Sequence, residues 1–582
     1  MNAIQHEADF CVVGGGMGGL CAALSAARHG VKTVLMHDRP VLGGNASSEC
    51  RVHICGADRH GSKPHFRETG ILEELRLENL ARNPNKNFSV WDTVLYEAAR
   101  FQPNLTLLLN CSCLEAEMGG ADIRSVTGWQ LTTQTRHTVA AKIFADCSGD
   151  GILAPLTGAD FRMGREARSE YGESIAPEVA DNRTMGMTCL FQSREYPTPQ
   201  PYEPPRWARR FDSCDEIPYG AAHSRWWEMG YWYVELGGED HSIHDTERLR
   251  DELLAIALGV WDHIKNRCPQ AREKTANWAL EWLQFLPAKR ESRRFMGDHV
   301  LTQGDIESEG RFADIAAYGG WSMDDHHPAG FRAVQLGKPA TIFHPTPPIY
   351  GIPYRCLYSR NIGNLMFAGR NASCTHAAMS ATRVMGTCCS MGQAVGTAAA
   401  MSVARGCNPR DIGGHMDELQ QKLLADDCYL PWTLQRMPEL THCARLTASR
   451  GDPEPVRDGI GRQVGDNPHC WISRPGDWIA YEFDSSQFVN RATLVLDSAM
   501  DRIIAMSSHQ KDNQLTRLPD SMPKRFRIEG LIGGKWQTIR AFDANRQRLV
   551  RLPISREVSG LRYVLEETWG EADSRLYAFY VE

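Results

Sequence analysis

Two glycine-rich segments that lie far apart in the sequence constrain the fold of this chain more than any other feature. The first, over residues 12–30, is VVGGGMGGLCAALSAARHG, and the second, over residues 365–400, is LMFAGRNASCTHAAMSATRVMGTCCSMGQAVGTAAA. Apolar residues 9–13 run into the first glycine cluster, and an Ala-rich stretch follows it. The order of strand, glycine turn and helix predicts a βαβ unit that binds the diphosphate of a dinucleotide at the helix N-terminus.

The glycine spacing in the first segment is G-x-G-x-x-G, and each glycine has a separate role in such a site. Gly14 permits the tight turn between strand and helix. Gly16 has no Cβ to keep a diphosphate away from the backbone. Gly19 lets the helix lie close to the sheet. The alternative is a βαβ turn without a ligand, which the following strand and acid make the weaker interpretation.

The next predicted strand, residues 32–36, ends at His37 and Asp38. A carboxylate about 20 residues beyond the last glycine usually binds the ribose. Asp38 fits that spacing. The acid would usually be expected one residue earlier, at the position of His37, so the Asp38 side chain starts on the opposite face of the strand. Either Asp38 binds the ribose after the strand end turns, or His37 does so through a ring nitrogen, and Asp38 is slightly preferred.

Composition and charge exclude several classes of protein. The 582 residues are enough for two to four domains. A net charge of −7 argues against a nucleic-acid-binding protein, and no apolar stretch is long enough to span a membrane. The sequence leads directly into the first strand, which leaves no room for a signal peptide. The eighteen cysteines show no C-x-x-C spacing, so we expect reduced thiols in a cytoplasmic protein and no metal.

Composition changes along the chain predict four segments. Residues 1–160 are βαβ-like and begin an α/β nucleotide-binding domain. Residues 161–360 are rich in Trp, Tyr, Arg and Pro and contain a predicted amphipathic helix over 246–267. The family resemblance described below implies that they form an inserted α+β substrate domain. Residues 361–430 return to the nucleotide-binding domain. Alternating apolar residues between turn signals predict an all-β sandwich over residues 431–582.

Four further motifs resemble those of the glutathione-reductase-like flavoproteins. Gly43-Gly44-Asn45 resembles the glycine pair after the second strand, ADCSGDG at 145–151 a later Rossmann strand end, FAGR at 367–370 the strand near the flavin, and residues 383–400 the last FAD-binding helix. Because all four occur in family order, the chain is identified as a member of the FAD-dependent oxidoreductase family, whose members are mostly uncharacterised bacterial proteins. The resemblance covers residues 8 to about 410 and implies FAD and hydride chemistry.

The resemblance also implies which residues bind the cofactor: Gly14, Gly16, Met17, Gly19, His37, Asp38, Arg39, Gly43, Gly44, Asn45, Ser48, Cys147, Gly149, Asp150, Gly369, Arg370, Gly386 and Gln393. In the last helix Gly386, Gly392 and Gly396 leave one face almost bare. That face allows close approach to the flavin, and tight packing on a neighbouring helix is the alternative.

Polar residues in several segments are candidates for catalysis. Arg51 and His53 would share one face of a strand, and His53 could act as a base, tether the flavin covalently or be structural. Arg294 is the preferred substrate arginine in PAKRESRRF, residues 287–295, which otherwise reads as a solvated ion-pair run. Asp324, Asp325, His326 and His327 offer an acid/base pair or a hydrogen-bonded loop. His376 is a candidate because its turn usually faces the flavin in the resembled family.

The C-terminal segment resembles a discoidin or galactose-binding jelly roll over LTASRGDPEPVRDGIGR and WISRPGDWIAYEF. Such domains often bind sugars. A structural cap or a contact in a homo-oligomer is the alternative function for this segment.

These features favour an FAD-dependent dehydrogenase that acts on a hydroxylated small molecule, most simply a sugar or glycoside. A histidine would take the hydroxyl proton while the hydride goes to flavin N5, and the electron acceptor is not specified by the sequence. The alternatives are reduction of an activated C=C bond of a carboxylate, redox-neutral elimination or hydrolysis of a sugar, and a glycan-binding flavin fold without catalysis.

Overall fold

The computed structural model describes residues 2–220, 226–507 and 513–582. These residues form two compact units. Of the described residues, the first unit contains 2–57, 91–220, 226–415 and 505–507, and the second contains 58–90, 416–504 and 513–582. No pattern in residues 58–90 predicts that they join the C-terminal segments. The four-segment division stays a prediction.

The helices and strands of the described residues are numbered in chain order. The helices are α1 (Met17–Arg28), α2 (Ile71–Arg82), α3 (Phe88–Arg100), α4 (Leu153–Thr157), α5 (Arg168–Tyr171), α6 (Thr246–Asp262), α7 (Gln303–Glu307), α8 (His376–Thr382), α9 (Met385–Arg405), α10 (Met416–Ala425) and α11 (Glu439–Cys443). The strands are β1 (Asn2–Glu7), β2 (Phe10–Val13), β3 (Thr33–Met36), β4 (Leu105–Leu108), β5 (Cys111–Gly119), β6 (Asp122–Gln130), β7 (Thr135–Ala140), β8 (Ile143–Asp146), β9 (Phe161–Arg162), β10 (Met187–Thr188), β11 (Phe191–Glu195), β12 (Glu235–Leu236), β13 (Trp278–Leu283), β14 (Ala288–Lys289), β15 (Arg294–Phe295), β16 (Ile315–Gly319), β17 (Met323–His326), β18 (Thr341–His344), β19 (Tyr350–Pro353), β20 (Leu365–Phe367), β21 (Arg445–Ala448), β22 (Trp471–Ser473), β23 (Trp478–Leu496), β24 (Pro523–Ile532), β25 (Lys535–Phe542), β26 (Leu549–Thr568) and β27 (Ser574–Val581).

A five-stranded parallel sheet in the order β20-β8-β2-β3-β4 forms the centre of the first unit. Strands β2, β3 and β8 are buried along their whole length, as apolar runs in parallel sheets usually are. The predicted strands at 9–13 and 32–36 are confirmed, and β8 ends at Asp146 within the ADCSGDG motif, as expected of a Rossmann strand end. A second sheet in the order β1-β7-β6-β5 belongs to the same unit.

The register of the parallel sheet brings the motifs together at one edge. Val13 at the end of β2 is opposite both Met36 and Asp146, and Asp146 is opposite Phe367. The predicted cofactor motifs lie at or directly after these four aligned strand ends. The carboxyl edge of a parallel sheet is where α/β proteins bind their ligands.

Helices α1 and α9 pack backbone to backbone. A Cβ on Gly392 would overlap the carbonyl oxygen of Gly18, and a Cβ on Gly396 would overlap that of Ala22. Ser25 Oγ and Thr397 Oγ1 lie 2.9 Å apart across the same interface. Our interpretation of the bare face as a flavin contact is therefore wrong at these two glycines, because α1 occupies that space.

The inserted segment builds a separate aromatic core. The predicted helix over 246–267 is confirmed as α6 with a π-helical turn, His263–Arg267, at its end. Trp261, Tyr231 and Tyr233 are buried, and the rings of Phe191 and Tyr231 stack with centroids 3.8 Å apart. These aromatic residues are core residues and do not provide a sugar platform.

The second unit is all-β apart from short helices, as predicted. Long strands β23 and β26 pair along most of their length. At one end they are flanked by β21 and by the β24–β25 hairpin, and at the other by β27. Residues from both ends, including Ile479 and Leu494, share one buried core. Across the described chain, each helix lacks either the length or the apolar character needed to cross a membrane.

Gly392→Ala tests the helix contact. Alanine stabilises an isolated helix by about 1 kcal/mol relative to glycine. The overlap with Gly18 should reverse that gain and destabilise the protein by roughly 1–3 kcal/mol in a urea titration. The control Gly413→Ala has open space at its Cβ and should unfold at the wild-type urea concentration or above it. Equal stabilities of the two variants would contradict the packing described.

Candidate active site

The glycine fingerprint has the geometry expected of a diphosphate loop. Gly14 has φ +107°, and a Cβ there would overlap the backbone of Cys147 and Ser148. A Cβ on Gly19 would overlap the carbonyl oxygen of Gly14. A Cβ on Gly16, in contrast, would have no atom within 4 Å. Gly14 and Gly19 therefore serve the fold, whereas Gly16 borders the space that a diphosphate needs.

The second glycine turn lies directly against the fingerprint. The Gly43 N–H donates to the carbonyl oxygen of Gly15 at 2.9 Å, and a Cβ on Gly44 would lie 3.1 Å from the Gly16 Cα. Asn45 Nδ2 donates to the Lys289 carbonyl at 3.2 Å. The turn thus connects the fingerprint to the inserted segment.

His37 has a structural role in this loop. Its Nδ1 accepts the N–H of Gly15 at 3.0 Å, so the proton lies on Nε2, which donates to the Val41 carbonyl at 3.0 Å. Burial lowers the pKa of His37 and keeps the ring neutral. Both ring nitrogens are occupied by backbone groups, whereas the neighbouring Asp38 side chain is 55% exposed.

Asp150 forms a half-buried ion-pair cluster beyond β8. Lys289 Nζ and Arg370 Nη2 each lie 2.7 Å from its carboxylate. Burial favours protonation, but Arg370 and Lys289 together lower the pKa of Asp150 to about 2. Arg370 Nε is buried and has no acceptor among the described residues. A buried donor without an acceptor fits a polar cofactor that supplies one.

The other expected cofactor residues surround the same edge of the sheet. Met17, Cys147 and Gln393 are buried, Gly149 packs against the Arg370 guanidinium, and Gly369 has φ +121°. Arg39 lies next to Asp38, at 3.7 Å from its carboxylate. Two other residues that were expected to bind the cofactor have backbone N–H groups that donate to protein acceptors. The Ser48 N–H donates to Asp92, and the Gly386 N–H donates to the Cys55 carbonyl.

His376 lies between two carboxylates. Its Nδ1 is 2.7 Å from Glu291 and its Nε2 is 3.3 Å from Asp325. Burial would lower the pKa of His376, but these carboxylates raise it to about 10. The ring is therefore an imidazolium at neutral pH, held firmly at Nδ1 and loosely at Nε2.

His326 repeats this arrangement. Its Nδ1 is 2.6 Å from Glu235 and its Nε2 is 3.3 Å from Asp324. Burial and the nearby Arg290 oppose protonation, but the two carboxylates raise the pKa of His326.

The two histidine pairs share strand β17. Asp324 and Asp325 are adjacent on it, so their side chains point to opposite faces and each meets a different histidine. Arg383 Nη2 donates to Asp324 Oδ2 at 3.1 Å, and its buried Nε has no acceptor in the described part of the chain. The Nε2 atoms and Arg383 are thus the least satisfied polar groups of the cluster.

Arg294 is buried and bonded entirely within the protein. Its guanidinium donates to Glu291, to Glu166 at 2.6 Å, to the Gly164 carbonyl at 2.7 Å and to the Cys374 carbonyl at 3.0 Å. Four of its five N–H groups have acceptors among the described residues, and at 1% exposure the guanidinium is not accessible to a substrate carboxylate. Arg294 therefore fixes the acids around His376, and the ion-pair run that contains it is buried and not solvated.

Three other candidates lie outside these pairs. Arg51 and His53 are not on a strand, because residues 51–56 have no regular structure and Arg51 has φ +51°. Arg51 donates to Gln192 at 2.6 Å, and the buried His53 ring meets Trp232 edge-on. His327 Nδ1 accepts the N–H of Ala329, so its neighbour His326 alone joins the cluster.

Sequence patterns missed the acids that hold the histidines. Glu235 stands alone in the aromatic and apolar run YWYVEL, and Glu291 stands alone among the cations of AKRESRR. A single carboxylate in an apolar or cationic run is the only local signal for such a role.

Comparisons with known proteins agree with the cofactor geometry. The family described as FAD dependent oxidoreductase matches residues 9–423. Because that match spans more than half of the chain, the protein belongs to this family. It is an FAD-dependent oxidoreductase, and the confirmed cofactor is FAD. No curated protein matches the sequence.

Solved structures give weak similarities. A geranylgeranyl bacteriochlorophyll reductase-like protein from Thermoplasma acidophilum is 12% identical, with a TM-score of 0.31, and the match covers 73% of this chain and 85% of that one. A chitosan-binding module from Paenibacillus is 17% identical, with a TM-score of 0.18, over 25% of this chain and 97% of that one. The family 32 carbohydrate-binding module of Streptococcus pneumoniae EndoD is 12% identical, with a TM-score of 0.19, over 24% and 94%. These TM-scores support no inference about activity.

Gly16→Ala separates cofactor binding from folding. The added methyl meets no protein atom, so the FAD-free variant should melt at the wild-type temperature while it retains little flavin after gel filtration. Gly19→Ala should instead destabilise the FAD-free protein, because its methyl overlaps Gly14. A Gly16→Ala protein that keeps full flavin content would contradict the assignment of this space to the diphosphate.

The pKa of His376 predicts a pH-dependent stability. Since the pKa is raised from about 6.5 in the unfolded chain to about 10, the contribution of the imidazolium is complete below pH 6.5 and is lost as the pH approaches 10. The difference in melting temperature between wild type and His376→Gln should therefore shrink from pH 6.5 to pH 10. A difference that stays constant over this range would contradict the ion pairs of His376 with Glu291 and Asp325.

Proposed function

We propose that the protein oxidises a hydroxyl-bearing carbon of a small polyhydroxylated molecule, such as a sugar or glycoside. The observation that carries this proposal is the pair of contacts between histidines and the carboxylates of β17, His326 with Asp324 and His376 with Asp325. When bound, FAD supplies the hydride acceptor at flavin N5. The residues described below bind the substrate, orient it and move its hydroxyl proton.

Asp325 is proposed to accept the hydroxyl proton, with His376 as its cationic partner. Glu291 fixes Nδ1 at 2.7 Å, whereas the contact of Nε2 with Asp325 is long at 3.3 Å. A substrate hydroxyl that enters between Nε2 and Asp325 replaces that weak contact. The Asp325 carboxylate then accepts the hydroxyl proton, and the imidazolium stabilises the negative charge that develops on oxygen. This differs from a neutral histidine base, because the structure keeps the ring protonated.

The His326 pair lies on the face of β17 opposite Asp325, and we propose that it binds a part of a larger substrate that extends around the strand. Asp324 and Arg383 present an acceptor and a donor on the same side of β17, which suits the vicinal hydroxyls of a polyol. Tyr219 lies within electrostatic range of Asp324 and has an exposed ring that contacts Trp226 edge-on. An aromatic face next to paired hydrogen-bonding groups is compatible with a sugar ring.

For the cofactor, we propose that Asp38 binds the ribose of the adenosine half. The two ring nitrogens of His37 are used by Gly15 and Val41, and the exposed Asp38 carboxylate follows the same strand end. Arg370 Nε is the proposed donor to the cofactor from the Asp150 cluster.

Reduction of an unsaturated carboxylate is the weaker hypothesis. It needs an arginine to bind the carboxylate, but Arg290 and Arg294 donate to protein acceptors and Lys289 pairs with Asp150. Asp324 and Asp325 would also repel an anionic substrate.

Sugar binding by the second unit and a cytoplasmic location are further proposals. The resemblance of residues 431–582 to galactose-binding jelly rolls supports the first. The eighteen cysteines are all free thiols in the structure, which is compatible with a reducing compartment.

Anaerobic reduction of the bound flavin tests the proposed reaction. Purified yellow protein is mixed with aldoses, alditols and methyl glycosides in one series and, after chemical reduction, with enoates in another. Loss of flavin absorbance in the first series and no reoxidation in the second is expected. Reoxidation by enoates alone would overturn the proposal, and sugar turnover without net flavin reduction or added acceptor would favour the redox-neutral alternative. A colourless protein that binds no FAD would favour the non-catalytic one.

The residue assignment is tested in the same assay. His376→Gln and Asp325→Asn should slow flavin reduction roughly 10²- to 10⁴-fold while flavin content stays at the wild-type level. His415→Gln changes an exposed histidine of the first unit and serves as the matched control. Wild-type rates in both site variants would contradict the role of this pair.

A further inference from the structure

A second cluster of reactive side chains lies in the inserted segment and has no part in the proposed flavin chemistry. Cys214 Sγ is 3.4 Å from His263 Nε2 and 3.8 Å from Cys268 Sγ. All three ligand atoms lie within 4.8 Å of one another. These three side chains carry the ligand types that zinc prefers.

The π-helical turn at the end of α6 creates this arrangement. The Cys268 N–H donates to the His263 carbonyl at 2.6 Å, which is the i→i+5 bond of a π turn. That turn brings residues 263 and 268 to the same side, whereas five residues of regular α-helix separate side chains onto different faces. π turns of this kind are frequent at functional sites.

The third ligand comes from a separate, capped turn. Cys214 begins a 3-10 turn, Cys214–Glu216, in which the Asp215 N–H donates to Ser213 Oγ at 3.2 Å. Cys268 and His263 are buried, whereas Cys214 is partly exposed. Two rigid elements therefore hold the three ligands, and the Cys214 side leaves an entry path for an ion.

The orientation of the His263 ring also fits a metal ligand. Its Nδ1 lies 3.0 Å from the carbonyl oxygen of Phe211. A carbonyl only accepts, so Nδ1 carries the proton and Nε2 directs its lone pair toward Cys214 Sγ. A metal-ligating histidine almost always donates its other N–H to a carbonyl or carboxylate in this way.

We propose that Cys214, His263 and Cys268 form a zinc site with water as the fourth ligand. Bond lengths of about 2.3 Å to sulfur and 2.0–2.1 Å to nitrogen in a tetrahedral site place the ligand atoms about 3.5–3.8 Å apart. The contacts of 3.4 and 3.8 Å at Cys214 lie close to that range. Each thiol releases its proton to solvent when the ion binds, so no oxidant or reductant is needed.

A zinc ion here would connect the segment around Phe211 to the end of α6. The absence of C-x-x-C spacing had predicted no metal, but the ligands come from two elements, and the π turn replaces the usual short spacing. The aromatic core of the inserted segment packs around both elements, and it includes Phe211 and Ile264. The ion would therefore stabilise the inserted segment.

The test uses the full-length protein, reduced, stripped with a chelator and then titrated with zinc chloride alone. One tightly bound zinc per chain and a higher melting temperature are expected. Replacement by Co²⁺ should give the absorption bands of thiolate coordination. Binding of no zinc by the reduced protein, or a Cys214–Cys268 disulfide that re-forms in preference to zinc uptake, would overturn the proposal.

Variants locate the ion. Because Cys214 lies at the partly exposed turn, the Cys214→Ala variant should fold, which circular dichroism will check. Its affinity for zinc should be at least about tenfold weaker than that of the wild type. His263→Gln and Cys268→Ser should have the same effect. Cys443→Ser, which changes an exposed cysteine of the second unit, is the control and should bind zinc as the wild type does. Unchanged zinc affinity in folded Cys214→Ala would overturn the assignment.

Discussion

The first unit depends on backbone contacts that only glycine permits. Gly19 lets α1 lie against the turn that carries Gly14, and Gly392 lets α9 lie close to α1. α1 packs on β2 and β3 and on α9, which itself contacts β2, β8 and β20, and the N-terminus of α1 follows directly from the end of β2. The position of the cofactor site follows from this packing, because Gly16 remains the one glycine of the fingerprint whose Cβ would meet no described atom.

The active-site cluster obeys a different constraint, which is the balance of buried charge. Buried carboxylates are stable only when cations or hydrogen-bond donors satisfy them. Glu291 is satisfied by Arg294, His376 and the Met185 N–H, and Glu235 by His326, Arg290 and the Gly186 N–H. The carboxylates that raise the pKa of both histidines therefore also hold the inserted segment together. The catalytic role that we propose and the structural role would be shared by the same ion pairs.

Sequence patterns predicted the parts of the molecule that are local. The strands, the fingerprint helix and the cofactor motifs were readable because each depends on the spacing of neighbouring residues, as at Gly14 to Gly19. His326 and His376 were recognised as candidates, but Glu235 and Glu291 were not, since each meets its histidine across a long stretch of chain. Arg294 was misread for the same reason: its acceptors at Gly164 and Cys374 have no sequence signal. The membership of residues 58–90 in the second unit is likewise a matter of tertiary contacts.

The contact between α1 and α9 also has a kinetic consequence. α1 is buried from Met17 to Ala27, and its partner α9 begins only at Met385. During synthesis the N-terminal helix therefore leaves the ribosome long before the surface that covers it exists. Pairing of such distant segments is slow, and apolar surface that waits for a late partner is prone to aggregate. The yield of folded protein in a cell should thus depend on chaperones that shield α1 until α9 has been made.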